Sequence, residues 1–194
     1  MTGRTHDLAA FSGLLIAFMS SNLASVSLVT LFLSLLFNQV GGILPDIDQP
    51  TAPFWRNLPI GHFIGKIVDK VLLGGHRFLT HSLLGVMFFG LLFYAILLFI
   101  KSIIGGVDLN IIFFSFIIGL LSHLLLDSFT KEGIPILLPV TKKFGFPTNK
   151  RFRITTGKFV EHLVVVPIII ILDIVMIYSD HSTIINFFRH NLIR

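Results

Sequence analysis

The chain has 194 residues, of which 54% are hydrophobic and only 13% are charged. Ordinary soluble domains carry about 25% charged residues, so the composition favours one multi-pass membrane domain over the whole of residues 1–194. The absence of cysteine excludes disulfides, thiolate metal sites and cysteine nucleophiles. In a membrane protein, a net charge of +5 indicates loop topology and anionic lipid headgroups, and we expect no nucleic-acid partner.

Five apolar stretches approach the roughly 20 residues that cross a bilayer. In chain order they cover residues 8–24, 26–44, 79–100, 109–127 and 160–178. The first is the weakest, because it is short and contains three serines and a glycine. A signal peptide is the alternative interpretation there, since Arg4 gives a basic start and residues 22–25 faintly resemble a cleavage site. The sequence predicts an all-α transmembrane helical bundle of about five spans.

Basic residues are distributed unevenly between the two sides of this bundle. Five spans place the N-terminus and the loops at 45–78 and 128–159 on one side. Twelve of the 15 lysines and arginines fall there, and the other three are Lys101, Arg189 and Arg194. Cytoplasmic loops are enriched in Lys and Arg, so we expect the N-terminus in the cytoplasm and the C-terminus on the opposite side of a bacterial cytoplasmic membrane. The basic segment 139–158 is expected to face solvent or lipid headgroups.

The first long loop contains an amphipathic segment over residues 60–73. Its apolar residues recur at helical spacing on one face, and these are Ile60, Phe63, Ile64, Ile67, Val68, Val71 and Leu72. The opposite face carries His62, Lys66, Asp69 and Lys70. This pattern predicts a helix that lies in the cytoplasmic interface. A helix packed against the spans is the alternative, because it would show the same pattern.

Ionisable residues gather at the cytoplasmic ends of the predicted helices, although hydropathy alone defined those helices. They are His6 before the first span, Asp46 and Asp48 after the second, His76, Arg77 and His81 at the start of the third, His123 and Asp127 at the end of the fourth, and Glu161 and His162 at the start of the fifth. Five different helix ends would therefore bring polar groups to one region.

The types and spacings of these residues suit a metal site. His123 and Asp127 are four residues apart, so they share one face of a helix. Asp46 and Asp48 lie beside Pro45, in turn geometry that lets both carboxylates point inward. Imidazole and carboxylate ligands together suit Zn, Mn or Fe. The alternative is structural, since histidines at helix ends are often interfacial polar residues, but ionisable groups within a membrane favour a functional site.

Glycine pairs precede two of these groups. We expect Gly41-Gly42 to loosen the end of the second span. The pair before His76 predicts that the third helix begins near Arg77 or Phe78, which would leave His76 on the loop and free to turn inward. His76 and His81 are five residues apart and cannot share one helical face.

The sequence resembles the YdjM-like family of bacterial membrane proteins at LPDID (44–48), HRFLTHS (76–82) and SHLLLDSFTKEGIPILLP (122–139). Members of that family are described as membrane-bound metal-dependent hydrolases. The resemblance runs from about residue 5 to 162 and includes an N-terminal histidine, here His6. It implies metal binding on a helical membrane fold by Asp46, Asp48, His76, His81, His123 and Asp127, and we add His6 as a further candidate ligand.

The motifs together predict a metal-dependent hydrolase that cleaves a phosphoester or related bond of a lipid or lipid-linked small substrate at the cytoplasmic face. We expect one or two divalent ions, with Zn as the first choice and Mn or Fe as alternatives. Arg77 is placed to hold phosphate, Glu161 to act as a general base or further ligand, and Thr130 and Ser82 to orient ligands. The rival functions are a metal-ion or proton transporter, and a non-catalytic membrane protein whose polar cluster joins helices.

Overall fold

The computed structural model describes residues 1–21, 26–56, 58–71, 78–103 and 105–192. Over these ranges the chain is predominantly helical, as the composition predicts. Its helices are α1 (Gly3–Met19), α2 (Leu28–Ile43), α3 (Pro53–Arg56), α4 (Gly61–Val71), α5 (Leu83–Ile100), α6 (Leu109–Ser128), α7 (Val166–Ser179) and α8 (His181–Leu192). The predicted ligand His76, the predicted phosphate contact Arg77 and the cleavage-like stretch at 22–25 lie outside the described residues.

Among the described residues, four helical segments are long and apolar enough to cross a membrane, and these are Leu28–Asp48, Leu83–Ile100, Leu109–Ser128 and Glu161–Ser179. They correspond to the second to fifth predicted spans. In the first of the four, α2 continues into a 3₁₀ turn. In the last, a π-helical turn leads into α7. The sides of these helices that face outward are apolar, as a lipid environment requires.

The predicted first span is not among these four segments. Helix α1 has 17 residues, which gives about 26 Å of helix and falls short of a hydrocarbon core of roughly 30 Å. It begins at Gly3 rather than at residue 8. Its polar first turn is stabilised by hydrogen bonds from Thr2 and Thr5 to Glu161, which a hydropathy profile does not detect. His6 therefore lies within the helix. With four such segments instead of five, the placement of the chain ends on opposite sides of the membrane stays a prediction.

The most extensive helix contact joins α2 and α6. A Cβ atom on Gly41 would lie 2.2 Å from the Phe116 carbonyl oxygen, and one on Gly119 would lie 2.1 Å from the Asn38 carbonyl oxygen. Only glycine fits where two backbones approach this closely. Helix α2 runs without a break through Gly41 and Gly42. The expectation that this pair loosens the helix is wrong, because the glycines serve close packing.

Two apolar clusters stabilise the bundle. The first fills the interface of α5 and α6 with Phe89, Phe93, Leu97, Ile112, Phe116 and Leu120. The second joins Leu14 and Phe18 of α1 to Val26 and to Phe187 of α8. Helix α8 has no counterpart among the predicted elements, because 12 largely polar residues do not resemble a span. It packs at the end of α1 that is remote from His6.

Helix α4 forms within the predicted amphipathic segment 60–73. Its apolar side chains Phe63 and Ile67 are exposed, as is Ile60 immediately before the helix. An outward apolar face is what a helix in the lipid interface presents to the membrane. The exposure disfavours the alternative in which this face packs against the spans.

Hydrogen bonds within the loop stabilise the basic segment between α6 and the last span. Ile134 and Phe144 exchange two hydrogen bonds of 2.8 Å. Arg153 is buried, and its guanidinium donates to the carbonyls of Pro147 at 2.6 Å and Gly145 at 2.7 Å. This arginine therefore stabilises the loop instead of facing lipid. The exposed basic side chains of the loop are Lys131, Lys142, Lys143, Lys150, Arg151 and Lys158.

We expect Gly119→Ala to lower the free energy of unfolding by about 1–3 kcal/mol, because the added methyl group would meet the Asn38 carbonyl and force α2 and α6 apart. The matched control is Gly105→Ala, where nothing lies within 4 Å of an added Cβ. Thermal unfolding of both variants in one detergent measures the difference. Equal midpoints would contradict the close contact of the two helices.

Candidate metal centre

Five predicted ligands meet at one end of the bundle. They come from α1, from the turn after α2, from the segment before α5 and from the end of α6, and they are His6, Asp46, His81, His123 and Asp127. The donor atoms form two groups, each within 4.8 Å, and the groups share His123. The three histidines are buried. The structure thus brings together residues whose positions at helix ends predicted that they would meet.

Three of the donor atoms have the spacing of a small cation's ligands. His81 Nε2 lies 3.3 Å from His123 Nε2 and 3.5 Å from Asp46 Oδ1, and His123 Nε2 lies 3.6 Å from the same Asp46 oxygen. Tetrahedral Zn with bonds of about 2.0–2.1 Å separates its ligand atoms by roughly 3.3 Å. Asp46, His81 and His123 therefore fit as three ligands of one tetrahedral ion with small shifts. Asp127 Oδ2 lies 3.4 Å from His81 Nε2 and 4.0 Å from His123 Nε2, and this carboxylate belongs to the other donor group.

Hydrogen bonds at the Nδ1 atoms orient two of the histidines. His123 Nδ1 lies 2.6 Å from the Gly42 carbonyl oxygen, which only accepts hydrogen bonds, so Nδ1 carries the proton. His81 Nδ1 lies 2.9 Å from Thr80 Oγ1, whose hydroxyl donates to Asp48 Oδ2 at 2.7 Å. Both Nε2 lone pairs then face the cluster. Histidines that bind metals are held in this way, with the remote nitrogen donating to a fixed acceptor.

His6 and Asp127 form a second edge of the cluster. The His6 ring stacks on the His123 ring with centroids 3.6 Å apart. His6 Nε2 lies 3.2 Å from Asp127 Oδ1 and 3.0 Å from the amino group of Met1, which also pairs with that carboxylate oxygen. A positive charge is therefore accommodated between His6 and Asp127. Asp127 turns one oxygen to this position and the other to His81, as a carboxylate that bridges two cations does.

Neighbouring carboxylates also draw positive charge towards His81. Burial lowers the pKa of its imidazole, but hydrogen bonds to Asp127 and Asp46, together with their charges, outweigh burial and raise the pKa above its ordinary value. A metal ligand must lose its proton before it binds. Protons and metal ions therefore compete for this position.

Two further predicted residues support the ligands. Asp48 is buried and accepts the hydrogen bond of Thr80, and it belongs to neither donor group among the described residues. Direct coordination by Asp48 stays a prediction. Thr130 Oγ1 donates to the backbone carbonyl of Asp127 at 2.8 Å. Thr130 thus fixes the end of α6, where that ligand lies.

Ser82 caps a helix. Its hydroxyl donates to the Leu79 carbonyl at 2.7 Å and accepts from the Gly85 N–H at 3.1 Å. Helix α5 therefore begins at Leu83, and the prediction of a start near Arg77 or Phe78 is wrong. The contacts of Ser82 place His81 immediately before the helix instead of orienting a ligand directly.

Glu161 links α1 to the start of the last span. Its Oε1 accepts from the Thr2 N–H and from Thr5 Oγ1, both at 2.6 Å, and its Oε2 accepts from the Gly157 N–H at 2.7 Å. The side chain is buried. These contacts make Glu161 a positioning residue for α1, the helix that carries His6. Its role as a general base or ligand stays a prediction.

Sequence reasoning missed three parts of this arrangement. They are the hydroxyl of Thr80, the carbonyl of Gly42 and the partners of Glu161. A hydroxyl next to a candidate ligand was the available signal, in the adjacent pairs Thr80-His81 and Thr5-His6. The Gly42 carbonyl and the N–H groups that bind Glu161 are backbone groups, which a sequence does not distinguish.

A cavity of about 730 Å³ opens beside the cluster. His6 and Asp46 form part of its wall, so the cluster faces a space large enough for a small molecule. The rest of the wall combines polar and apolar residues, and these are Thr2, Gly3, Arg4, Asp7, Gly42, Ile43, Ala52, Phe54, Leu58 and His162.

Comparisons with known proteins agree with the motifs. The profile of the YdjM inner membrane protein family matches residues 1–188. The uncharacterized protein YvsG of Bacillus subtilis (strain 168) is 31% identical over 166 residues, which are 84% of this chain and 87% of YvsG. The inner membrane protein YdjM of Escherichia coli (strain K12) is 33% identical over 105 residues, which are 54% of this chain and 48% of YdjM. No solved structure matches.

Replacing Glu161 tests its link to α1. We expect Glu161→Ala to destabilise the protein by about 1–3 kcal/mol, because the buried Thr5 hydroxyl and the N–H groups of Thr2 and Gly157 lose their acceptor. Hydrogen exchange at the first turn of α1 should accelerate. Glu161→Gln is the matched variant, since its amide oxygen still accepts the bonds from Thr2 and Thr5, and it should show a smaller effect. Unchanged exchange in Glu161→Ala would contradict the link.

Proposed function

The chain belongs to the YdjM inner membrane protein family, and we propose that it is a membrane-bound metal-dependent hydrolase. The observation that carries this proposal is the set of three donors on Asp46, His81 and His123, which lie 3.3–3.6 Å apart, as ligands of one tetrahedral ion would. Zn is our first choice of metal, with Mn or Fe as alternatives. A second ion would lie between His6 and Asp127.

The substrate that we propose is a phosphoester or related bond of a lipid-associated molecule. A bound ion would supply Lewis acidity and lower the pKa of a water molecule to roughly 7. The chain's own residues would hold this chemistry in place, since the Gly42 carbonyl and Thr80 orient the two central imidazoles. Arg77 is the proposed phosphate contact from the sequence, next to the proposed ligand His76.

The membrane interface would supply such a substrate. The exposed apolar face of α4 would lie among lipids near the cavity, and a lipid could enter from the side. The exposed lysines and arginines of the basic loop would attract anionic headgroups. By the excess of positive charge, this side of the bundle would face the cytoplasm.

A metal-ion or proton transporter is the second candidate. Thr30, Ser34 and Asn38 are buried at intervals of four residues on α2, so polar groups extend along the helix away from the cluster. However, Asn38 donates to the Ser115 carbonyl at 3.1 Å, and Thr30 Oγ1 accepts from the Asp108 N–H at 3.1 Å. Helix packing already uses Asn38 and Thr30, and for that reason we rank hydrolysis first.

The direct test incubates the purified protein with a total lipid extract and Zn or Mn, and follows the lipids by mass spectrometry. We expect new lipid species to form at the expense of a phosphoester. His123→Ala should slow lipid cleavage more than about 100-fold, because it removes a proposed metal ligand. Loss of a residue that only hydrogen-bonds to a ligand typically costs roughly 10–100-fold. The control is His190→Ala, an exposed histidine on α8 at the other end of the bundle.

The rival functions give different results in the same preparation. Reconstituted vesicles that accumulate metal while no lipid is cleaved would identify a transporter. A folded, metal-loaded protein that neither cleaves lipid nor moves metal would support a non-catalytic role. Equal rates for the two histidine variants would contradict the assignment of the cluster as the reactive site.

A further inference from the structure

The cavity beside the cluster has two chemically different walls. One wall carries Arg4 of α1 and His162 of the π-helical turn, together with the cluster residues His6 and Asp46. The apolar wall consists of Ile43, Ala52, Phe54 and Leu58. A volume of about 730 Å³ lies in the range of small-molecule sites. The cavity therefore suits a molecule that has a polar end and an apolar end.

The polar wall presents two cation-forming groups. Arg4 is exposed, and among the residues that the structure describes it makes no hydrogen bond or ion pair. His162 is exposed as well and follows Glu161 directly. Glu161 ties α1 to this turn through Thr2, so the elements that carry the two groups have fixed relative positions.

Two acidic residues also line the cavity, Asp46 and Asp7. The Asp46 carboxylate lies 3.5 Å from His81 Nε2, inside the cluster. The Oδ1 atom of Asp7 is buried and has no hydrogen-bond partner among the described residues. Arg4 is exposed and therefore available to a ligand, and a guanidinium matches the oxygens of a phosphate with two parallel hydrogen bonds.

The apolar wall leads towards the lipid-facing part of the protein. Phe54 and Leu58 are partly exposed, and beyond them the chain continues to the exposed Ile60 and Phe63 of the α4 region. An acyl chain that leaves the cavity over this surface would stay in apolar surroundings. The cavity is therefore open to a molecule that is only partly removed from the bilayer.

We propose that this cavity selects a lipid with an anionic phosphate headgroup, which Arg4 and His162 bind, while Phe54 and Leu58 contact the start of its acyl chain. The inference rests on the proposed function for the reactive cluster and names the substrate class of that site. Arg4 and His162 are specificity-determining residues, and the chemistry that they recognise is a phosphate monoester.

Binding of short-chain lipids to the detergent-purified full chain tests the proposal by calorimetry, without turnover. The three probes are dihexanoyl phosphatidic acid, dihexanoyl phosphatidylcholine and glycerol 3-phosphate. We expect phosphatidic acid to bind at least about tenfold more tightly than either of the others, since only it combines a phosphate monoester with acyl chains. Equal affinity for the two lipids would overturn phosphate selection. Equal affinity for glycerol 3-phosphate would overturn the role of the apolar wall.

Variants identify the residues responsible. Arg4→Gln and His162→Gln should each weaken phosphatidic acid binding by about tenfold and leave phosphatidylcholine binding unchanged. The control is Arg189→Gln, an exposed arginine on α8. Arg4 is exposed, so its variant should keep the wild-type unfolding temperature. An effect of Arg4→Gln no greater than that of Arg189→Gln would overturn the proposal.

The two proposals fail in different ways. Selective binding that depends on Arg4, without any metal-dependent cleavage, would overturn the proposed hydrolase and leave this cavity as a lipid-phosphate site. If Arg4→Gln and His162→Gln leave the rate of metal-dependent cleavage unchanged, the proposed hydrolase activity stands and the assignment of these two residues is overturned.

Discussion

The backbone contact between α2 and α6 is the interaction on which the site depends. Gly119 of α6 lies against the Asn38 carbonyl, and one turn further along the same helix His123 Nδ1 meets the Gly42 carbonyl at 2.6 Å. That hydrogen bond requires the two backbones to be this close. It fixes the tautomer of His123, and its Nε2 lone pair then faces His81 and Asp46. Any side chain at the glycine contact would move the central ligand of both donor groups.

The remaining ligands are held by residues that do not themselves coordinate. Thr80 joins His81 to Asp48, and Glu161 holds the start of α1, from which His6 reaches the cluster. Asp127 is buried, and uncompensated buried charge costs several kcal/mol. The arrangement therefore requires positive charge among these carboxylates, and the pairing of the Met1 amino group with Asp127 shows where it fits. A metal site needs side chains held in fixed orientations around a position that favours a cation, and this cluster has both.

Much of this could be predicted from sequence, for identifiable physical reasons. Four of the five predicted spans correspond to long apolar helices, because lipid imposes length and hydropathy on any helix that crosses it. The spacing of His123 and Asp127 correctly placed both on one face of α6. Hydropathy misjudged the start of α5, where the capping bond from Ser82 to Gly85 sets the boundary. It also missed the first turn of α1, which hydrogen bonds to Glu161 stabilise.

We propose above all that imidazole and carboxylate groups at the end of the bundle bind a transition metal. X-ray absorption spectroscopy of the Zn-loaded protein identifies the ligand atoms. We expect nitrogen and oxygen ligands at about 2.0–2.2 Å with the scattering pattern of two imidazole rings for a single ion. Loss of Zn on gel filtration, or a shell of oxygen alone without imidazole scattering, would show that these groups do not bind the metal.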